Sequence, residues 1–214
     1  MSREEYEAAF GIGSDPKRTE AAHANATDVH KFESQLGWNR IALYWTFLGA
    51  ACAGYGAIQT VNSVSVRTDL SVMLSSLGLV FTFAWHCINR GTEHWQESWE
   101  NHVAQLEDAV TGPLHKVVLH RPRPAAGERI TRLLVGPAPF SASKIGQLLS
   151  IYMLAMWLVL LIHALPPISR RAPVSPLYAT CVGLVVIACM LIVIFGRSQA
   201  YDYEVEATIR GAKL

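Results

Sequence analysis

The chain of 214 residues is 51% hydrophobic and only 16% charged, whereas charged residues make up about a quarter of an ordinary soluble domain. Its formal net charge of +1 gives no overall basic character for binding nucleic acid, and its four cysteines form no CxxC pair. These properties argue against an ordinary soluble domain, a nucleic-acid-binding protein and a cysteine-based zinc site.

The first forty residues predict two cytoplasmic helices. Ser2 and Glu5 form a capping-box pattern that opens a short helix, and Gly11–Pro16 ends it. A second helix is predicted from about Thr19 into the membrane. Because no basic stretch precedes an apolar core at the N-terminus, we expect no signal peptide.

Four segments without any Asp, Glu, Lys or Arg predict four transmembrane helices, at 41–61, 70–88, 147–165 and 176–196. Each is close to the roughly 20 residues that a helix needs to cross about 30 Å of hydrocarbon. Ionisable residues inside the membrane mark proton relays and coupled transport, so their absence argues against an ion-coupled transporter. It does not argue against a pore lined by hydroxyl groups and backbone.

The distribution of positive residues predicts the orientation. Segments 1–40, 89–146 and 197–214 together carry fifteen Lys and Arg residues, against three in the connections 62–69 and 166–175. Positive residues accumulate on the cytoplasmic side, so we expect both termini and the central segment to be cytoplasmic.

Small residues recur along the first predicted span at helical spacing, which favours close packing of helices in lipid. They are Gly49, Ala50, Ala53, Gly54 and Ala57. The pattern fits packing within one subunit and packing between subunits equally well.

The stretch NRGTEHWQESWENHV, residues 89–103, predicts an amphipathic helix that continues to about residue 110. Trp95, Trp99 and His102 share one face, which indicates a packing surface. A second face gathers acidic residues that either meet solvent or face a basic hairpin: Glu93, Glu97, Glu100 and Glu107. His94 and Glu97 form an HxxE pair that lacks the two-histidine HExxH spacing of a zinc site, so we predict no metal and no cofactor.

Residues 114–135 predict a β-hairpin, and the alternating tail YDYEVEATI predicts a further strand. With the N-terminal segment and the helix in 89–146, they would form a small α+β cytoplasmic domain. The hairpin is basic through Lys116, Arg121, Arg123, Arg129 and Arg132. These residues fit the positive-inside bias with salt bridges to the acidic helix, contact with anionic lipid headgroups, or a pocket for a phosphorylated ligand. Ser141 is a predicted N-cap for the helix of the third span.

Two stretches, NRGTEHWQESWENHVAQLEDAVTGPLHKVV and FSASKIGQLLSIYM, resemble the RipA-like family of octameric bacterial inner-membrane proteins. The first span also begins with a matching pattern, Trp38-Asn39-Arg40 followed by Tyr44-Trp45. The resemblance covers roughly residues 35–165. It implies a homo-oligomer, with eight subunits expected, in a bacterial inner membrane, and it assigns no catalytic residue.

Three functional hypotheses follow. The first is a non-enzymatic, homo-oligomeric inner-membrane protein whose cytoplasmic layer is an assembly and interaction platform, with partners among its own copies, membrane lipids and an unknown cytoplasmic ligand or protein. The second is a channel gated by a ligand or partner, or a membrane-perturbing effector. The third and weakest is a metal-dependent enzyme that uses His94 and Glu97. No Walker loop, GxSxG motif or poised carboxylate pair supports catalysis, so we predict no catalytic residues.

Overall fold

The computed structural model describes residues 3–114, 116–117, 140–166 and 175–197. These residues form five helices and no strand: α1 (Arg3–Phe10), α2 (Pro16–Ile58), α3 (Val64–Val110), α4 (Ala142–Ala164) and α5 (Pro176–Phe195). Most of the predicted hairpin, residues 118–135, and the predicted tail strand, residues 201–209, lie outside the described residues.

Helices α2 to α5 are each long and apolar enough to cross a membrane, so the prediction of four candidate membrane-spanning helices is confirmed. Ser141 caps α4 as predicted, because its side chain accepts a hydrogen bond from the backbone N–H of Lys144. The protein is therefore mainly α-helical in its described parts.

Two of the helices are far longer than a bilayer is thick. With 43 residues in α2 and 47 in α3, a rise of about 1.5 Å per residue gives lengths of roughly 65 and 70 Å. The helices predicted on the N-terminal side of the first span and after the second span are thus continuous with the spans themselves. No proline interrupts α3.

The turn between α1 and α2 depends on Gly11 and Asp15. Gly11 has a φ of +73°, a left-handed conformation that favours glycine at the end of a helix. Asp15 accepts a hydrogen bond from the backbone N–H of Arg18 and so caps α2. The Thr19 hydroxyl donates to the carbonyl oxygen of Phe10 at 3.0 Å, which holds the end of α1 against α2.

Helix α3 is the centre of the subunit, since α2, α4 and α5 each pack against it. In the membrane part the core consists of Tyr44, Leu48, Ala51, Trp85, Met153 and Trp157. Gly78 of α3 allows the fully buried Trp157 of α4 to lie directly on the helix backbone. A second core contains Tyr6, Ala26, Val103 and Leu106, where α1 packs against the N-terminal part of α2 and the C-terminal part of α3.

Candidate functional site at the membrane exit of α2, α3 and α4

A stripe of small and polar residues runs along α3 through the whole predicted span and beyond it. The intervals of three and four residues place its members on one side of the helix. The members are Ser71, Ser75, Gly78, Thr82, His86, Asn89 and Glu93. Ser75 and Thr82 are almost completely buried, so this side of α3 faces the interior of the subunit.

Neighbouring helices meet this stripe with hydrogen bonds at several heights. Nδ1 of His86 lies 2.8 Å from the hydroxyl of Ser150 on α4, and Gln147 of α4 donates to the carboxylate of Glu93. On the α2 side, the hydroxyl of Tyr44 lies 3.5 Å from Thr82. In lipid such contacts help to hold helices together because the alternative is an unsatisfied polar group in hydrocarbon.

A crevice lined by residues of α2, α3 and α4 has a volume of about 350 Å³. Its floor includes the stacked rings of Tyr44 and Trp85, whose centroids lie 4.6 Å apart. Its polar side includes Arg40, which donates from Nη1 to the Thr92 hydroxyl at 3.1 Å. The other lining residues include Ser34, Gly37, Trp38, Ile41, Trp45, Ile88, Asn89, Glu93, Gln96, Ser143, Ile145, Gly146, Leu149 and Ser150.

A second, wider groove lies between α2 and α3 and has a volume of about 1240 Å³. It is mostly apolar and extends from Ala50 and Phe81 in the predicted spans to Val29 and Trp99 well beyond them. Phe47 and Phe81 stack within it with ring centroids 3.9 Å apart. The groove therefore continues as an apolar surface on the part of α2 and α3 that extends past the membrane.

The predicted packing residues of the amphipathic helix lie in two different surroundings. Trp95 faces the α2–α3 groove and is 39% exposed, while Trp99 and His102 are half-buried. His102 packs against Trp99, and its Nδ1 lies 2.9 Å from the hydroxyl of Tyr6 in α1. Burial raises the pKa of Tyr6, because the charged phenolate loses its hydration.

The small residues of the first span lie on different sides of α2. Gly54 packs against Leu74 of α3, with 3.4 Å between the leucine methyl and a Cβ built on the glycine. In contrast, the surroundings of Gly49 are open, and Ala53 and Ala57 are exposed in the subunit. Ala50 lines the α2–α3 groove. Gly54 therefore suits packing within one subunit, whereas Gly49, Ala53 and Ala57 suit packing between subunits.

The acidic face is not uniform. Glu97 and Glu100 are exposed, Glu93 is half-buried, and Glu107 is fully buried. Glu107 accepts a hydrogen bond from the backbone N–H of Lys116 at 3.3 Å, so this glutamate faces the segment that follows α3 and not solvent. Periodicity left open whether the acidic residues meet solvent or the basic segment, and for Glu107 the contact is with Lys116 of that segment.

Lys116 forms an ion pair with Asp108 of α3. Arg121, Arg123, Arg129 and Arg132 lie outside the described residues. His94 is exposed and packs edge-on against Trp95. Within the described ranges, no three His, Cys, Asp or Glu side chains come together as a metal site.

Sequence reasoning missed the crevice residues Arg40, Asn89 and Glu93 as a group, and it missed Gln147 as the hydrogen-bond partner of Glu93. A signal for part of the group was present, because the polar stripe repeats every three or four residues along α3. The joint placement of α2 and α4 against that stripe has no such signal.

The helices and their polar contacts define a multi-span α-helical membrane protein with a large helical part outside the spans. The chain matches the octameric membrane protein family (8xMP) over residues 20–166, and it belongs to that family. Membership indicates a homo-oligomeric membrane protein with eight subunits. Comparisons with curated proteins and with solved structures gave no match.

Proposed function

We propose that the protein is a non-enzymatic subunit of an octamer in a bacterial inner membrane, and that the extended part of its helices is a cytoplasmic assembly and interaction platform. The observation that carries this proposal is the apolar surface on α2 and α3 beyond the predicted spans.

This surface has no lipid to cover it. Trp95 lines the groove and is 39% exposed, and Phe32 on α2 is 61% exposed; both lie outside the predicted spans. Exposed apolar groups in the spans are expected to face hydrocarbon, but these two would face water. Since large exposed apolar patches mark protein interaction sites, a neighbouring subunit is the occupant that family membership supports.

The cytoplasmic placement rests on the distribution of charge. Fifteen of the eighteen Lys and Arg residues lie on the side of the termini and the central segment, which is the cytoplasmic side by the positive-inside rule. In this proposal, the hairpin within 114–135 and the tail strand complete a small α+β layer beside the extended helices.

The absence of an enzymatic role is part of the proposal. The polar groups of α3 are engaged with α2 and α4, as His86 is with Ser150 and Glu93 with Gln147. This arrangement suits helix packing within the subunit.

Trp95→Glu tests the proposal. The substitution places a charge on the apolar surface, and we expect the purified protein to lose its octameric mass in native mass spectrometry and in light scattering after size exclusion. Burying one large aromatic side chain stabilises an interface by about 1.5–3 kcal/mol. The substitution should therefore weaken every interface between neighbouring subunits of the octamer.

Asn101→Glu is the matched control, because it adds the same charge to an exposed position of α3 six residues further along the helix. The control should remain octameric. An octamer that survives Trp95→Glu and Phe32→Glu together would contradict the proposed platform surface.

A further inference from the structure

We propose that the crevice between α2, α3 and α4 binds the headgroup of a zwitterionic phospholipid with a primary ammonium group. The crevice shares Arg40, Tyr44, Trp85, Ile88 and Thr92 with the α2–α3 groove, whereas Asn89, Glu93 and Gln96 line the crevice and not the groove. The inference does not rest on the platform proposal.

The crevice lies at the membrane surface. Its lining includes Ile41 and Ile88 at two predicted span ends, and residues on both sides of the start of the third span near residue 147. Ile41 and Leu149 line it on the hydrocarbon side, whereas Ser34 and Gln96 line it on the aqueous side. An amphiphile with its headgroup on one side and its acyl chains on the other matches this division.

The crevice holds one positive and one negative side chain that do not neutralise each other. Arg40 and Glu93 both line it and both are half-buried, yet no ion pair joins them in the described part of the chain. Each is instead bonded to a neutral side chain, Arg40 to Thr92 and Glu93 to Gln147. Partial burial of a charge without an opposite charge is unfavourable, so a ligand that supplies both signs would be stabilised here.

The headgroup chemistry follows from these two side chains. A guanidinium group binds phosphate with two parallel hydrogen bonds, and a carboxylate accepts hydrogen bonds from an ammonium group. The amides of Asn89 and Gln96 also line the crevice and offer further donors to phosphate oxygens. Gly37 lets the Gln96 amide approach α2 closely, since a Cβ at that position would lie 3.2 Å from Nε2.

Two tryptophans that line the crevice also favour a phospholipid headgroup as its ligand. Trp38 is 63% exposed and Trp45 is 44% exposed, and both line the crevice. Tryptophan side chains are enriched at the level of lipid headgroups, where the indole is apolar over most of its surface and has one polar N–H. An anionic headgroup without an ammonium group would satisfy Arg40 but would bring a negative charge close to Glu93.

Native mass spectrometry of the purified, delipidated assembly tests the inference by titration with phosphatidylethanolamine and with phosphatidylglycerol of identical acyl chains. We expect the wild type to bind phosphatidylethanolamine about fivefold more tightly than phosphatidylglycerol, a modest ratio for one charge contact near a membrane surface. Glu93→Gln should bring this ratio to about one, because it removes the partner of the ammonium group. Arg40→Gln should weaken binding of both lipids about tenfold, because both carry phosphate.

Arg90→Gln and Glu97→Gln are the matched controls, since both residues are exposed, lie on α3 near the same level and do not line the crevice. They should leave both affinities and their ratio within about twofold of the wild type, as expected for screened surface charges. If Arg40→Gln fails to assemble, the lipid preference of Glu93→Gln decides the question.

Three results would overturn the inference. They are tighter binding of phosphatidylglycerol by the wild type, an unchanged lipid ratio in Glu93→Gln, and absence of lipid binding by the assembled wild type. The last would mean that a neighbouring subunit fills the crevice.

Discussion

Gly78→Ala should destabilise the contact between α3 and α4 more than any other glycine substitution in the spans. A Cβ at position 78 would lie 2.5 Å from Cδ2 and Cε2 of Trp157 and 2.8 Å from Cε3. Carbon atoms in contact prefer about 3.5–4.0 Å, so the indole or the helix must move by about 1 Å. Trp157 is fully buried and cannot turn aside, so we expect a loss of about 1–3 kcal/mol in the free energy of unfolding.

Unfolding of the purified protein in mixed micelles with increasing SDS would measure this loss. Gly183→Ala in α5 is the matched control, because nothing lies within 4 Å of a Cβ there. A second variant, Gly78→Ala combined with Trp157→Leu, should lose less stability than the sum of the two single substitutions, since the smaller side chain leaves room for the methyl group. Equal losses for Gly78→Ala and Gly183→Ala would refute the reasoning.

Three other outcomes are expected. Tyr6→Phe removes the hydrogen bond to His102 and should speed hydrogen exchange in α1, at a cost of about 0.5–1.5 kcal/mol. Burial raises the pKa of Tyr6 above the ordinary tyrosine value of about 10, so the hydroxyl's contribution in the wild type is complete below that pH and is lost as pH rises through the higher folded-state pKa. After correction for the intrinsic alkaline acceleration of amide exchange, α1 should lose protection in this range in the wild type but not in Tyr6→Phe. Ser150→Ala leaves His86 without its partner on α4 and should lower stability in the mixed-micelle assay by about 0.6 kcal/mol, whereas Ser143→Ala, which removes a hydroxyl without that contact, should not. The octamer reconstituted in liposomes should pass K⁺ no faster than empty liposomes in a fluorescence flux assay, and a clear excess would favour the channel hypothesis.

The spans and caps were predictable because their signals are local. Four uncharged stretches of sufficient length identified α2 to α5, and Ser141 marked the start of α4 by its capping side chain. The continuous helix through residues 89–110 followed from its amphipathic pattern. Its face with Trp95 and Trp99 was predicted to pack, and the structure shows it partly covered by α1 and partly open to the α2–α3 groove.

The crevice was not predictable in the same way. In the sequence, Arg40 is one of the positive residues that predict the orientation, and Glu93 is one of the acidic residues on a face of the amphipathic helix. Each of these assignments uses the pattern of one helix only. Their shared surroundings depend on where α2 and α4 pack on α3, and the pattern of one helix does not contain that placement. Glu107 shows a related limit, because its place on the helix does not tell whether it meets solvent or the segment after α3.

The length of α3 gives the protein a mechanical property. One unbroken helix joins Ser71, bonded to Gln59 near the far membrane surface, to Glu107, bonded to Lys116 beyond the opposite one. A stiff rod of this length transmits rotation and tilt with little loss, since a helix without proline bends only gently. A force that tilts the end of α3 beyond the spans would therefore also shift its membrane part against α2, α4 and α5.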